Sequence, residues 1–260
     1  MKKIALVTGG SSGIGLAIAK KLIEDGNYQV ISVSRNKEKI GRALQEFPEL
    51  DGKLTFMQGD VSSPESCAGI AAQLEKEHGL LHALVNNAGI VAWGGMEAIS
   101  NEQWKQILDI NLSGPFYLVK ALLPLLKKAG GAAVVNISSI ASKSPGTSVA
   151  YSVSKAGLDM LTEYLAGDLG PYKIRVNSIN PGLVKTHLHL DNKVFDKEAD
   201  YGRMLEKAAD RYPLGRIGRA DDIASTASFL LSDEASWITG AILKVDGGVT
   251  LYNELIPPKG

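Results

Sequence analysis

A glycine-rich stretch near the start of the chain constrains the fold more than any other feature. Residues 8–15 read Thr-Gly-Gly-Ser-Ser-Gly-Ile-Gly, after an apolar run at residues 4–7 and before a helical pattern of apolar residues. Glycines let the backbone turn tightly and approach a pyrophosphate, while the N–H groups and dipole of a helix N-terminus attract negative charge. The stretch therefore predicts a cradle for a dinucleotide, with an ordinary glycine turn as the alternative.

Strand-type and helix-type segments alternate along the chain. Strands are predicted at residues 4–7, 29–34, 54–58, 80–85, 132–137, 174–179 and 241–245. Helices are predicted from residue 16 to about residue 26 and at residues 36–47, 64–78, 101–128, 149–169 and 221–231. Pro115 and Pro124 predict a bend or break within the fourth of these helices.

This alternation predicts right-handed βαβ units and therefore an α/β fold. We expect a doubly wound parallel sheet of about seven strands with helices on both faces. A chain of 260 residues is long enough to bury such a sheet within a single domain spanning residues 1–260.

Composition favours a small-molecule partner. The formal net charge is zero and basic residues form no long run, which argues against nucleic acid and anionic membranes as partners. Cys67 is the only cysteine, which excludes an intramolecular disulfide framework and a thiolate zinc cluster and fits a reducing compartment. No apolar stretch approaches the about 20 residues of a membrane span, so we expect a soluble, cytoplasmic protein.

Residues 183–219 are a candidate lid over a site. They combine aromatic residues, histidines and many charges with helical character, and a surface insertion is the alternative. Residues that could line a largely apolar pocket are Trp93, Leu183, Val184, His187, Leu188, His189, Phe195 and Met204. His187 and His189 have no spaced acid or cysteine partner, so we expect no metal site.

Tyr151 and Lys155 are a candidate acid–base pair. They lie four residues apart on a predicted helix and so share one face. A free tyrosine titrates at about pH 10, and a nearby ammonium favours the phenolate. The pair therefore suits a general acid for reduction of a carbonyl, or a base in the reverse direction. A surface Tyr and Lys on an amphipathic helix is the alternative.

Five motifs, in this order and spacing, resemble the short-chain dehydrogenase/reductase family over nearly the whole chain. They are Thr8-Gly-x-x-x-Gly13-x-Gly15, Asp60-Val61, Asn86-Asn-Ala-Gly89, Tyr151-x-x-x-Lys155 and Pro181-Gly182. The resemblance implies a Rossmann-like fold and an NAD(P)-dependent oxidoreductase that acts on CH–OH or C=O groups.

The resemblance also implies catalytic roles for Asn111, Ser139, Tyr151 and Lys155. Lysine binds the nicotinamide ribose in the family, the serine holds the substrate oxygen, and the asparagine anchors a water in a proton relay. Asn111 is assigned from its place in Asn111-Leu-Ser-Gly114, with a capping or packing asparagine as the alternative.

The catalytic serine is ambiguous, because Ser138 and Ser139 are adjacent. The usual family spacing of thirteen residues before the tyrosine selects Ser138, whereas relatives with a strand ending Ile-Ser-Ser use the second serine. Loops shorten more readily than buried strands change register, since a one-residue slip reverses every side chain. We therefore predict Ser139 with a one-residue loop deletion, and a structural Ser138.

The residue at the end of the second predicted strand indicates which coenzyme the protein binds. An acidic residue there would accept the ribose hydroxyls of NAD, whereas an arginine accommodates the 2′-phosphate of NADP. Arg35 stands there beside Ser34, which favours NADP(H), with NAD(H) as the alternative. Ser12 departs from the second basic residue that many NADP-dependent relatives carry just before Gly13.

The coenzyme-binding residues implied in this way follow the motifs. They are Gly9, Ser11, Ser12, Gly13, Ile14, Gly15, Ser34, Arg35, Asp60, Val61, Asn87, Ala88, Gly89, Tyr151, Lys155, Pro181, Gly182, Val184 and Thr186.

The activity implied is an NADPH-dependent carbonyl reductase of a ketone or aldehyde. The alternatives are an NAD-dependent alcohol or hydroxysteroid-type dehydrogenase and a non-catalytic dinucleotide sensor. Relatives commonly form homotetramers, which implies contacts through residues 101–128, residues 149–169 and the last strand.

Overall fold

The computed structural model describes residues 2–146, 148–186, 188–192 and 197–251. Its strands are β1 (Lys3–Thr8), β2 (Tyr28–Ser34), β3 (Leu54–Gln58), β4 (Ala83–Asn86), β5 (Ala133–Ile137), β6 (Arg175–Pro181) and β7 (Ile242–Val245). Its α-helices are α1 (Gly13–Glu24), α2 (Lys37–Glu46), α3 (Pro64–His78), α4 (Asn101–Leu108), α5 (Gly114–Lys128), α6 (Val149–Leu169), α7 (Leu188–Asp191), α8 (Glu198–Ala209) and α9 (Ala220–Leu231). The alternation of strands and helices agrees with the sequence-based prediction.

These strands form one parallel sheet in the order β3-β2-β1-β4-β5-β6-β7. The strand order reverses between β1 and β4, which pair with each other although β2 and β3 intervene in sequence. Ligands of such sheets bind in the crevice at the carboxyl ends of the strands beside this reversal. The predicted fold class is confirmed.

Both faces of the sheet are buried by helices. Leu6 and Leu84 pack in a cluster with α3, α5 and the end of α6, whereas Val7 and Val85 pack in a second cluster with α1, α2 and α9. Successive side chains on a strand point to opposite faces, so neighbouring apolar residues supply both cores. This explains why the strands read as continuous apolar runs.

Local capping sets several helix boundaries. The Ser63 hydroxyl accepts a bond from the Ser66 N–H at 3.1 Å, and Pro64 occupies the first turn of α3. A serine cap followed by a proline both satisfies a free N–H group and presets the backbone for a helix. Both α3 and α6 have the bounds that the sequence predicts.

The predicted helix at 101–128 is interrupted just ahead of Pro115, as expected, but not at Pro124. A π-helical segment at Asp109–Ser113 separates α4 from α5 just ahead of Pro115, whose missing N–H disrupts the regular bonding pattern. The helix continues through Pro124, so no break follows that residue in the described backbone. Pro124 is exposed, where water can bond the carbonyl that the proline leaves free.

Two strand boundaries also differ from the prediction. Pairing of β4 begins at Ala83 rather than residue 80, because the His82 ring nitrogen Nδ1 accepts the Ile4 N–H at 2.9 Å. At its other end β6 extends to Pro181, which pairs with Val245. Proline is tolerated there because it ends the strand. Among the helices described, none combines the length and the apolar character needed to cross a bilayer.

Candidate coenzyme and active site

A cleft of about 640 Å³ lies at the carboxyl ends of the strands. Of the predicted site residues, all except Gly15 and Asn111 line this cleft in the part of the chain that the structure describes. Pockets of this size bind coenzymes and small substrates. The sheet thus brings together residues that the sequence spreads from Gly9 to Thr186.

The glycine loop leaves no room for larger residues. Gly9 has a φ of +66°, a conformation that glycine adopts without strain. A Cβ on Gly15 would lie 2.4 Å from both the Gly9 carbonyl oxygen and the Asn87 Nδ2 atom. Gly15 therefore does not line the cleft. Its lack of a side chain permits α1 to pack against the glycine loop. Within the described residues the Ser12 hydroxyl does not cap α1, which leaves N–H groups of the first turn to an anion.

The Thr8 side chain locks this loop to the segment after β4. Its Oγ1 atom accepts the N–H groups of Asn87 and Ala88, both at 2.9 Å, and donates to the Val85 carbonyl at 3.3 Å. The Asn87 Nδ2 atom donates in return to the Thr8 carbonyl at 2.9 Å. Thr8 and Asn87 both belong to the sequence motifs. The spacing of the motifs does not predict that the Thr8 hydroxyl joins the two loops.

At one end of the cleft, polar and charged residues follow β2 and β3. Ser34 Oγ lies 3.2 Å from Ser11 Oγ, and Arg35 Nη1 lies 3.7 Å from Asp60 Oδ2. Burial alone would raise the pKa of Asp60, but hydrogen bonds from Ser62 and the charge of Arg35 hold it below its usual value. Arg35 is half-exposed and so remains accessible to a ligand.

A second cation lines the same end of the cleft. Lys39, in the first turn of α2, places its Nζ 2.5 Å from Asp191 Oδ2, at the end of α7. The sequence reasoning sought a second basic residue only at Ser12 and missed Lys39. Its position four residues after Arg35, in the first turn of the helix predicted to follow, was the available signal.

At the opposite end, Lys155 is buried on α6 with only 4% of its surface exposed. Its Nζ donates to the Ile137 carbonyl at 2.7 Å and lies 5.6 Å from the centre of the Tyr151 ring. Burial lowers the pKa of Lys155 to about 8, although the Asp159 carboxylate opposes the shift. The ammonium is held at the end of β5, beside the tyrosine.

The pKa of Tyr151 shifts in the direction opposite to the one expected from the sequence. Burial raises the pKa above its ordinary value, and a hydrogen bond with the Ser139 side chain offsets only part of that effect. The ammonium of Lys155 bonds the Ile137 carbonyl, so it does not override the desolvation of the phenolate. Tyr151 is therefore protonated at neutral pH and can donate a proton.

The two adjacent serines have different partners. Ser138 is buried, and its hydroxyl donates to the Lys155 carbonyl on α6 at 3.2 Å. The Ser139 hydroxyl accepts the Ala141 N–H at 3.1 Å and interacts with the Tyr151 side chain strongly enough to offset part of the rise in the pKa of that phenol. This geometry favours Ser139 as the serine that meets a substrate, and the assignment of its catalytic role stays a prediction.

The Asn111 side chain lies in the π-helical segment, fully buried behind the cleft. Its Oδ1 accepts the Ile90 N–H, and its Nδ2 donates to the Ile90 carbonyl, both at 2.9 Å. The same Nδ2 lies 3.2 Å from Ser154 Oγ on α6. These bonds fit the packing alternative, and the proton-relay role stays a prediction.

Comparison with known proteins decides the family. A family model described as enoyl-(acyl carrier protein) reductase matches residues 9–250. Human dehydrogenase/reductase SDR family member 4 is 38% identical over 95% of this chain and 87% of its own length. Glucose 1-dehydrogenase 2 of Bacillus subtilis is 36% identical over 96% of this chain and 95% of its own. The chain belongs to the short-chain dehydrogenase/reductase family.

A solved structure agrees with this membership. The ligand-free aldohexose dehydrogenase of Thermoplasma acidophilum superposes with a TM-score of 0.88 at 33% identity. The match covers 99% of this chain and 98% of that one. The chain is thus an oxidoreductase of the short-chain type, and the family implies a nicotinamide dinucleotide coenzyme.

The residues present in this short-chain dehydrogenase/reductase fit such a coenzyme. A Cβ on Gly182 would approach within 3.0 Å of the Asp246 Cα, just as one on Gly15 would collide with the glycine loop. At both edges of the cleft, beside α1 and beside β6, two backbone segments therefore pack against each other at a glycine. Cationic side chains lie at one end and the Tyr151 hydroxyl at the other, in keeping with an elongated, anionic ligand.

A buried polar network supports the Ser139 end of the cleft. Asn180 Nδ2 lies 2.9 Å from Asp159 Oδ2 and 3.1 Å from the Ser139 carbonyl oxygen. Ser178 Oγ lies 3.2 Å from the other Asp159 oxygen, and Lys143 Nζ lies 3.9 Å from the carboxylate. Sequence reasoning missed this network, because Asp159 and Asn180 each look like ordinary helix and strand residues.

The candidate lid agrees only in part with its predicted contacts. Leu183, Val184 and Leu188 line the cleft, whereas Trp93 and Met204 lie outside it among the described residues. Trp93 is 64% exposed beside the bridge between Gly94 and Ser148, and Met204 lies on α8.

Three other predicted pocket residues lie partly or wholly outside the part of the chain that the structure describes. His187 and Phe195 fall outside the described residues, as does the His189 side chain. The expectation of no metal site was based on the two histidines. Tyr212, which the sequence reasoning missed, lines the cleft and accepts the Leu183 N–H through its hydroxyl at 2.7 Å.

Proposed function

We propose that this protein is an NADPH-dependent reductase that converts a ketone or aldehyde into an alcohol. The observation that carries the proposal is that Tyr151 lines the cleft together with Ser139, with its ring centre 5.6 Å from the Lys155 Nζ atom. Both residues border the cleft next to the Lys155 ammonium. A protonated phenol in this position is suited to act as a general acid.

Each residue has a distinct part in the proposed reaction. The coenzyme, when bound, would provide the hydride that the carbonyl carbon accepts. Tyr151 protonates the carbonyl oxygen, and the Ser139 hydroxyl donates a hydrogen bond that polarises it. The Lys155 ammonium lies near the phenol and would hold the coenzyme ribose, while Asn111 would support the supply of protons.

The preference for NADPH rests on the charge at the opposite end of the cleft. Arg35 follows β2 directly, at the position where an acidic residue would favour NAD. Lys39 adds a second cation four residues later, in the first turn of α2. A guanidinium and an ammonium together suit a phosphate group.

A screen of aldehydes and ketones tests this function. We expect NADPH oxidation with at least one carbonyl class and a higher kcat/KM with NADPH than with NADH. Tyr151→Phe should lower kcat by about 10²- to 10⁴-fold, the usual contribution of a general acid. Tyr164→Phe changes an exposed tyrosine on the same helix and should leave kcat unchanged. Normal turnover by Tyr151→Phe would refute the mechanism.

An NAD-dependent alcohol dehydrogenase is the second candidate. Arg35 and Lys39 both face carboxylates, Asp60 and Asp191, which reduces the positive potential available to a 2′-phosphate. Two of the similar proteins, moreover, are named glucose 1-dehydrogenase and aldohexose dehydrogenase.

The KM values for NADH and NADPH separate the two candidates. Arg35→Asp should raise the KM for NADPH and lower that for NADH, and indifference to this change would favour the NAD-dependent alternative. Failure of every carbonyl and alcohol tested would favour a dinucleotide sensor instead.

A further inference from the structure

An ion pair across the cleft mouth joins the coenzyme end to the candidate lid. Lys39 Nζ on α2 lies 2.5 Å from Asp191 Oδ2 on α7, and both residues line the cleft. The two residues are 152 positions apart in the chain, so their contact depends on how the lid segment folds over the sheet edge. Both side chains are more than a third exposed, and exposed pairs contribute little to stability. This pair can therefore be broken at small cost.

The charges at this end of the cleft are balanced before any ligand binds. Arg35 faces Asp60 with its Nη1 3.7 Å from Oδ2, a loose contact. Asp60 is also bonded by the Ser62 N–H at 2.9 Å and the Ser62 hydroxyl at 2.7 Å, so it has partners without Arg35. For Asp191, by contrast, the described partner of the carboxylate is the Lys39 ammonium. The two carboxylates thus differ in how strongly they depend on the neighbouring cation.

A phosphate monoester carries about two negative charges at neutral pH and forms strong bonds with cations. Resting on the proposed NADPH dependence, we propose that Lys39 is a second cation for the 2′-phosphate and that Asp191 is its competitor. The phosphate and the lid carboxylate bind the same ammonium in turn. Coenzyme binding therefore releases α7 from α2, and Asp191 weakens the affinity for NADP while leaving that for NAD unaffected.

Calorimetric binding of NADP⁺ and NAD⁺ to the full chain tests the proposal without turnover. The two coenzymes differ only in the 2′-phosphate. Lys39→Gln should weaken NADP⁺ binding by about tenfold, the loss of one charge-assisted contact, and leave NAD⁺ binding unchanged. Asp191→Asn should strengthen NADP⁺ binding by about threefold, again with no effect on NAD⁺. In the Lys39→Gln background, Asp191→Asn should have no further effect.

Arg42→Gln is the matched control. It removes the same charge from the same helix, but Arg42 is exposed, lies near Glu38 and is not among the cleft-lining residues described. It should leave both affinities unchanged. Equal weakening of NADP⁺ binding by Arg42→Gln and Lys39→Gln would overturn the specific role of Lys39. An Asp191→Asn effect that persists without Lys39 would overturn the competition.

The same measurements separate this inference from the proposed coenzyme preference. If the unmodified protein binds NADP⁺ no better than NAD⁺, the NADPH assignment fails, and the role of Lys39 fails with it. If NADP⁺ is preferred and Arg35→Asp abolishes that preference, while Lys39→Gln matches Arg42→Gln, only the inference fails.

Discussion

Lys155 shows how a site residue can oppose the stability of the fold that contains it. Its folded-state pKa of about 8 lies below its ordinary value of 10.5, because burial disfavours the charged form. The resulting penalty is present in full below pH 8 and is relieved as the pH rises toward 10.5. A neutral, apolar side chain in the same place would avoid it.

We expect Lys155→Met to stabilise the ligand-free protein at pH 7. A shift of this size corresponds to about 3 kcal/mol, and loss of the bond to the Ile137 carbonyl offsets about 1 kcal/mol of it. Urea unfolding should show a gain of about 2 kcal/mol at pH 7 and a smaller gain at pH 10. A gain independent of pH would assign the effect to packing rather than charge.

The two serines provide a matched pair of substitutions. Ser139→Ala should lower kcat by about 10²-fold, because it removes a donor from the substrate oxygen, and loss of the bond from the Ala141 N–H should cost about 1 kcal/mol of unfolding free energy. Ser138→Ala removes the bond to the Lys155 carbonyl and should lower the free energy of unfolding by about 1 kcal/mol. Steady-state kinetics and urea unfolding of both variants check this. The reverse pattern would assign the catalytic role to Ser138.

At the scale of elements, the buried Asp159 network joins α6 to β6 and to the loop after β5. Asp159→Ala removes the carboxylate that bonds both Asn180 and Ser178 and should cost about 2–4 kcal/mol of unfolding free energy. Lys143→Gln removes only the exposed cation near the same carboxylate and should cost less than about 0.5 kcal/mol. Equal costs in thermal unfolding would contradict the network as the source of stability.

The elements also show how far the sequence determines the structure. The bounds of α3 were predictable because Ser63 and Pro64 specify its start locally. The short β4 was not, because its first pairing depends on the His82 ring, which meets β1 only after folding.

The same distinction applies to the candidate site. Its motifs locate the cleft, since strand ends and helix starts are local features. The Lys39–Asp191 pair and the Asp159–Asn180 contact could not be predicted, because each joins segments that lie far apart in the chain.

At the scale of the whole molecule, exposed apolar residues mark the helices through which the family resemblance implies assembly. Val153, Met160 and Tyr164 lie at spacings of seven and four on one face of α6, and Phe116 is exposed on α5. A set of exposed apolar residues on one surface is typical of a protein interface.

We expect a homotetramer in solution, with four times the mass of the single chain by light scattering. Replacing both Met160 and Tyr164 by lysine should reduce this mass, because the added charges cannot be buried without cost. Met96→Lys alters an apolar side chain that is 82% exposed in a loop, and it should leave the mass unchanged. A monomeric mass for the unmodified protein would contradict this expectation.

The order of strands in the sheet separates two tasks along the chain. The residues proposed to discriminate between coenzymes lie in one short segment at the end of β2, Ser34 to Lys39, whereas Ser139, Tyr151 and Lys155 lie after β5 and on α6, on the other side of the strand-order reversal. We therefore expect that this segment can be replaced without disturbing the catalytic residues. Grafting a different six-residue sequence there should convert the enzyme to another electron donor without redesigning the reaction it catalyses.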